Sequence, residues 1–245
     1  MKKLAVIAVA LALQALPFRG TAGTVSVAVA ANVLPAIEEM AETFARETDH
    51  GLRISSGSTG RLYAQIRAGA PYDVFLAADA ERPERLEGDG LVERRRTYAL
   101  GRLALVGPPG TLDDPAAALR GQRLTVADPA VAPYGLAAME TLTALGLKPQ
   151  DVRLVTGESV GQTAMFVATG NAPYGFLARS LLPQVRAARD VDVWDVPPDH
   201  HAPIRQDAAL LSRGASAEAA LAFWDWLQGD AARAILSSAG YEVPD

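Results

Sequence analysis

The chain has 245 residues, a formal net charge of −5 and 49% hydrophobic residues, a globular composition sized for one large domain or two medium ones. It contains no cysteine, which excludes disulfides, thiolate nucleophiles and cysteine-based zinc sites. A mildly acidic chain without a basic stripe cannot neutralise a run of phosphates, so no nucleic-acid partner is expected.

The first segment, "MKKLAVIAVALALQALPFRGTAG" (1–23), places Lys2 and Lys3 before an apolar run over 4–16 and then small residues. That is the layout of a secretory signal peptide, and the run is short for a bilayer span. Cleavage near Ala22 or Gly23 is expected, giving an exported, soluble, periplasmic protein. After it, short apolar runs alternate with helical patterns. "TVSVAVA" (24–30) reads as a strand, and 33–48 as an amphipathic helix with Leu34, Ile37, Met40, Ala41 and Phe44 on one face. Strands follow at 52–56 and 72–79, with helices at 61–69 and 81–90. Further strands are expected at 101–107, 123–129, 152–157, 174–180, 191–197 and 203–211. Helices are expected at 135–146, 160–170, 216–229 and 230–240. Strand–helix alternation of this kind implies an α/β protein with mostly parallel sheets flanked by helices. Ligands of such sheets sit beyond the carboxyl ends of strands, where helices begin.

Four strand-to-helix turns therefore carry the functional reading. In "AAN" (30–32), Asn32 suits an N-cap, with Pro35 in the first helical turn. "SSGSTG" (55–60) is a hydroxyl-rich loop in which Ser58 either caps the next helix or turns its hydroxyl to a ligand; it lacks the lysine of a phosphate-binding P-loop. In "DPAVAPYGLAA" (128–138), Tyr134 lies at a helix start and reads either as packing or as a neutral O–H donor. In "TGESVGQ" (156–162), Ser159 and Gln162 have capping-box spacing, which leaves Val160 to open the helix with an unused N–H. All four turns offer neutral donors at helix N-termini, and none contains a lysine or arginine. Such a set binds an ionised small oxyanion through charge-assisted hydrogen bonds and helix dipoles.

At these residues the chain resembles the periplasmic molybdate-binding proteins, the extracytoplasmic receptors of molybdate ABC importers. The resemblance spans the mature chain and rests on "QIRAGAPYDVFLAAD" (65–79), "VAPYG" (131–135), "ESVGQTAMFVATGNAPYGF" (158–176) and "HAPIRQDAAL" (201–210). It implies a two-lobed periplasmic binding protein fold of type II, with molybdate or tungstate in the interlobe cleft, no cofactor, no catalysis and a membrane permease as partner. It implies a monomer whose first lobe comprises 24–98 plus 203–245 and whose second comprises 99–202. One branch of the family uses a serine in the first turn and a late tyrosine; this chain has Asn32 and Ala178 at those places. It looks like the other branch, whose asparagine fills the first turn and whose tyrosine comes from the "APYG" turn. The residues carried over are Asn32, Ser58, Tyr134 and Val160, with Ala31 as a backbone donor and Thr59 standing behind them.

Rival readings are open at the sequence level. "GESVG" (157–161) matches the G-x-S-x-G elbow of α/β serine hydrolases, with Ser159 as nucleophile, Asp192 or Asp195 as acid and His200 or His201 as base. "DHH" (199–201) could contribute to a zinc site, although no direct cation ligand is assigned. The anion could also be another small oxyanion such as sulfate.

Overall fold

The computed structural model describes residues 22–244, so the signal-peptide expectation falls almost wholly outside the described residues. In chain order the elements are β1 (Thr24–Ala30), α1 (Leu34–Thr48), β2 (Gly51–Gly57), α2 (Thr59–Arg67), β3 (Val74–Leu76), α3 (Glu81–Gly88), β4 (Val92–Gly101), β5 (Leu103–Gly107), α4 (Pro115–Leu119), β6 (Arg123–Ala127), α5 (Pro133–Ala144), β7 (Arg153–Gly157), α6 (Val160–Ala168), β8 (Tyr174–Ala178), α7 (Leu182–Ala188), β9 (Asp192–Asp195), β10 (Ile204–Leu211), α8 (Glu218–Trp226) and α9 (Asp230–Ser238).

The strands form two five-stranded sheets, ordered β2-β1-β3-β10-β4 and β7-β6-β8-β5-β9. Three adjacent strands of each sheet are parallel. One strand in each, β10 and β5, runs against its neighbours. These reversed strands lie beside the two places where the chain changes sheets: β4 ends at Gly101 in the first sheet and β5 begins at Leu103 in the second, while β9 ends at Asp195 and β10 begins at Ile204. The result is a two-lobed α/β molecule whose sheets share one strand order, a symmetry with no visible trace in the sequence.

Local chemistry accounts for the elements. β1 is rich in β-branched residues and buried on both sides: Val25, Val27 and Val29 join one apolar cluster, and Ala28 joins another on the opposite face. In α1, Ile37, Met40 and Phe44 recur at helical spacing and are buried. The Phe44 ring meets Phe223 of α8 edge-on at 5.2 Å. The second lobe closes around its own cluster, which also takes in Ala30 and Ala78 from the first.

Three elements depart from the sequence expectation. β4 carries Glu93, Arg94, Arg95 and Arg96 on an edge strand. Its register comes from pairing with β10, so hydrophobic alternation gave no signal for it. The short helices α4 and α7 are also additional to the expected set. The expected cap of α1 is corrected as well: Val33 occupies the N-cap position, and no side chain caps that helix. Asn32 is turned inward instead.

Candidate functional site

The parallel strands of both lobes deliver their carboxyl ends to one place, as in other open α/β sheets. There, residues 30–32, 57–59 and 78 face residues 132–134, 159 and 160 across a small cavity. All five residues singled out from the sequence, Ala31, Asn32, Ser58, Tyr134 and Val160, line it. Every lining side chain is uncharged. Helices α1, α2, α5 and α6 begin at or beside these residues, so the positive ends of four backbone dipoles gather at one spot. As the first residue of α6, Val160 has no intrahelical acceptor for its N–H.

The side chains divide into satisfied and unsatisfied groups. Ser58 sits at the N-cap position of α2 but makes no capping bond. Its Oγ is buried without a hydrogen-bond partner among the described residues, and so is Asn32 Oδ1. A buried polar atom left unpaired destabilises a fold by about 1–3 kcal/mol; the Ser58 hydroxyl can donate and so marks a place that an anion can complete, whereas Asn32 Oδ1 only accepts. Thr59 is engaged differently: its Oγ1 accepts the N–H of Ala78 at 3.1 Å and ties α2 to the segment after β3.

Two of the groups expected near the ligand already have protein partners. Ala31 lines the cavity, but its N–H donates to the Gly57 carbonyl at 3.0 Å; that bond joins the β1–α1 turn to the end of β2 and commits the expected donor. The Asn32 NH₂ is committed too, donating to Gln206 Oε1 and to the Tyr241 hydroxyl, each at 2.9 Å. The Asn32 main-chain carbonyl accepts from Ser180 Oγ at 2.8 Å and from Tyr241 at 2.9 Å.

Gln206, Tyr241, Tyr98 and Ser180 were not singled out by the sequence reading, and they form the support of the site. Gln206 Nε2 donates to the Tyr134 hydroxyl at 3.1 Å, and Tyr98 lies 3.1 Å from Gln206 Oε1. Burial is the main force raising all three tyrosines: Tyr241 to about 12, and Tyr98 and Tyr134 well above their ordinary value. They therefore remain neutral hydrogen-bond donors at any physiological pH. Gly101 makes room for this network, since a Cβ there would overlap the Tyr134 hydroxyl and lie 2.5 Å from Gln206 Nε2.

The two lobes touch around the cavity. The Gly60 N–H donates to the Val131 carbonyl at 2.8 Å, Arg82 Nη2 donates to the Ala130 carbonyl at 3.0 Å, and Arg61 pairs with Glu158 at 2.6 Å. That last pair is exposed, and Arg61 holds the Glu158 carboxyl below its ordinary value. A larger groove lined by 78–82, 129, 133, 136, 137, 140 and 202–205 contains none of the buried unpaired side-chain atoms found among the described residues.

The hydrolase constellation does not assemble. Ser159 Oγ accepts the Gln162 N–H at 3.3 Å as the N-cap of α6, while the Gln162 side chain accepts from Glu158 N–H at 2.6 Å. Asp192 accepts from Leu112 N–H at 3.3 Å, and Asp195 pairs with Arg179. The His200 ring lies against Trp194 at 5.6 Å, and His201 Nδ1 lies 2.7 Å from the Ala202 carbonyl. Among the described residues, no group of three or more histidine, aspartate or glutamate side chains is placed to hold a metal ion.

A family model described as bacterial extracellular solute-binding protein matches residues 25–242. The molybdate-binding protein ModA of Azotobacter vinelandii is 42% identical over 227 residues, covering 90% of this chain and 90% of its own. ModA of Rhodobacter capsulatus is 42% identical over 241 residues, covering 96% of this chain and 94% of its own. The solved structure of the Azotobacter vinelandii periplasmic molybdate-binding protein matches with a TM-score of 0.82 at 39% identity, covering 90% of this chain and 100% of that one.

Proposed function

The chain belongs to the bacterial extracellular solute-binding proteins, and on that premise we propose that it captures molybdate, with tungstate as an equivalent ligand, and delivers it to the permease of an ABC importer. The observation that carries this reading is the uncharged cavity at four helix starts, with Ser58 Oγ buried and unpaired at its wall. The 42% identity to two molybdate-binding proteins supports molybdate as the cargo.

A tetrahedral dianion presents only acceptors. The Ser58 hydroxyl, the Tyr134 hydroxyl and the Val160 N–H present hydrogens to it, and each charge-assisted bond is about twice as strong as a neutral one. No counter-charge is required, because the helix dipoles and the fixed donors replace the water that the anion leaves behind. Asn32 contributes as the residue on which Gln206, Tyr241 and Ser180 converge. Ala31 shapes the wall through its methyl group, its N–H being committed. Sulfate is a smaller tetrahedron that the same donors hold loosely. The protein acts as a monomeric receptor without catalysis, exported by a cleaved signal peptide over 1–23, with lobes 24–98 plus 203–245 and 99–202.

Calorimetric titration of the purified mature protein with molybdate, tungstate, sulfate and phosphate tests the reading. Tight binding of molybdate and tungstate with weak or absent sulfate binding is expected. A sulfate preference, or no heat with molybdate, overturns it.

A further inference from the structure

β10 returns the chain from the second sheet to the first. In the fold, Gln206 is fully buried, and its two amide atoms have different tasks. Oε1 accepts from Asn32 Nδ2 at 2.9 Å, and Nε2 donates to the Tyr134 hydroxyl at 3.1 Å. A phenol has a single hydrogen. Because the Tyr134 oxygen already accepts from Gln206, its own hydrogen is left for an acceptor other than Gln206. Reversing the Gln206 amide would set its NH₂ against that of Asn32 unless Asn32 reversed as well. The reversal would also draw the Tyr134 hydrogen onto Gln206 Oε1. The side chains of Asn32 and Tyr134 therefore cannot both aim a hydrogen at a bound anion while Gln206 stands between them.

We propose that Gln206 is a positioning residue for ligand recognition: it holds Tyr134 as the donor and Asn32 as the support. The inference rests on the oxyanion reading above. The backbone is built to hold Gln206 in this place. β10 shifts register against β4 between Gln206 and Asp207, a bulge that re-aims adjacent side chains. Asp207 is anchored next to it by Arg95 at 2.6 Å and Thr97 at 2.8 Å. Gly101 leaves the space in which the Gln206 and Tyr134 groups meet.

A double-mutant cycle by calorimetry with molybdate tests the role. Gln206→Met should lower affinity by about five- to tenfold, the worth of one hydrogen bond converted to a binding ratio. In a Tyr134→Phe background the same substitution should change affinity by less than about twofold, because the hydroxyl it positions is gone. Equal losses in both backgrounds are the outcome of a purely structural role in the hinge and overturn the proposal. If Gln206→Met does not fold, Gln206→Glu asks the same question: an ionised carboxylate only accepts and claims the phenol hydrogen. Its loss must then be larger with Tyr134 present than with Tyr134→Phe, and equal losses again overturn the proposal. The wild-type isotherm separates the two levels. No molybdate binding there overturns the oxyanion reading and this inference with it, whereas wild-type binding with an additive cycle overturns the inference alone.

Discussion

Ser58 stands where a serine normally caps a helix, yet its hydroxyl is buried and caps nothing. This sets function against stability at a single residue. Ser58→Ala removes a buried unpaired hydroxyl, so the ligand-free melting temperature should hold or rise. The same change should weaken molybdate binding by about 1.5–3 kcal/mol, the worth of a hydrogen bond to a charged partner. Thermal melts and calorimetry on the one variant decide the matter; a drop in stability with unchanged affinity would make Ser58 an ordinary structural serine. The buried tyrosines give a second test at this scale. Burial raises Tyr241 to about 12 and raises Tyr98 and Tyr134 as well, whereas the unfolded chain releases its phenolic hydrogens near pH 10. Below about pH 10 both states are protonated and the contribution of these groups to stability is fully present. Above it the unfolded state binds fewer protons than the folded state, so stability falls as pH rises through about 10 to 12. Melting temperatures measured across that window should decline, and Tyr241→Phe should make the decline shallower.

The elements differ in how much of their purpose the sequence displays. α6 is legible, because Ser159 and Gln162 have cap spacing and make the bond that the spacing implies. Ser159→Ala should therefore destabilise the fold by about 0.5–2 kcal/mol and leave molybdate affinity unchanged, since that hydroxyl is occupied by its own helix; urea unfolding and calorimetry together check this. A large affinity loss without destabilisation would move Ser159 from cap to ligand. β4 is illegible for the opposite reason: its charged residues mask an edge strand held by β10. The site shows the same division. Residues beside strand-to-helix turns could be singled out because turn chemistry is local. Asn32 meets Gln206 and Tyr241 across separations of 174 and 209 residues, and only tertiary structure creates those contacts. One trace of them was available in the sequence. Gln206 and Asp207 interrupt an apolar strand, and polar groups buried in a strand require partners. That trace says partners exist without saying which. The inward turn of Asn32 had no such signal, because asparagine before a helix suits a cap equally well.

At the scale of the molecule, two lobes joined by two short crossings enclose a cavity to which both contribute walls. A ligand held from both sides favours the closed state by the contacts it makes only there. How closely the lobes approach is set by backbone rather than by side chains at one point. A Cβ on Gly60 would lie 2.9 Å from Val131 Cα and 3.1 Å from its carbonyl oxygen, where the Gly60 N–H now donates across the cleft at 2.8 Å. Neither atom belongs to a flexible side chain, so Gly60→Ala must hold the lobes apart by some tenths of an ångström or strain α2. Gly60 is the second residue of α2, a helical position that alanine fills at least as well as glycine, so the first lobe should not lose stability. Closure should suffer instead. If the closed state loses about 1.4 kcal/mol relative to the open one, molybdate affinity falls about tenfold, and the fall appears chiefly as faster release. Small-angle scattering should show the wild type compacting with molybdate and the variant compacting less, with stopped-flow displacement giving the release rates. Wild-type affinity and compaction in Gly60→Ala would mean that the cleft closes without the Gly60–Val131 contact, and that the grip on the anion comes from the donors alone.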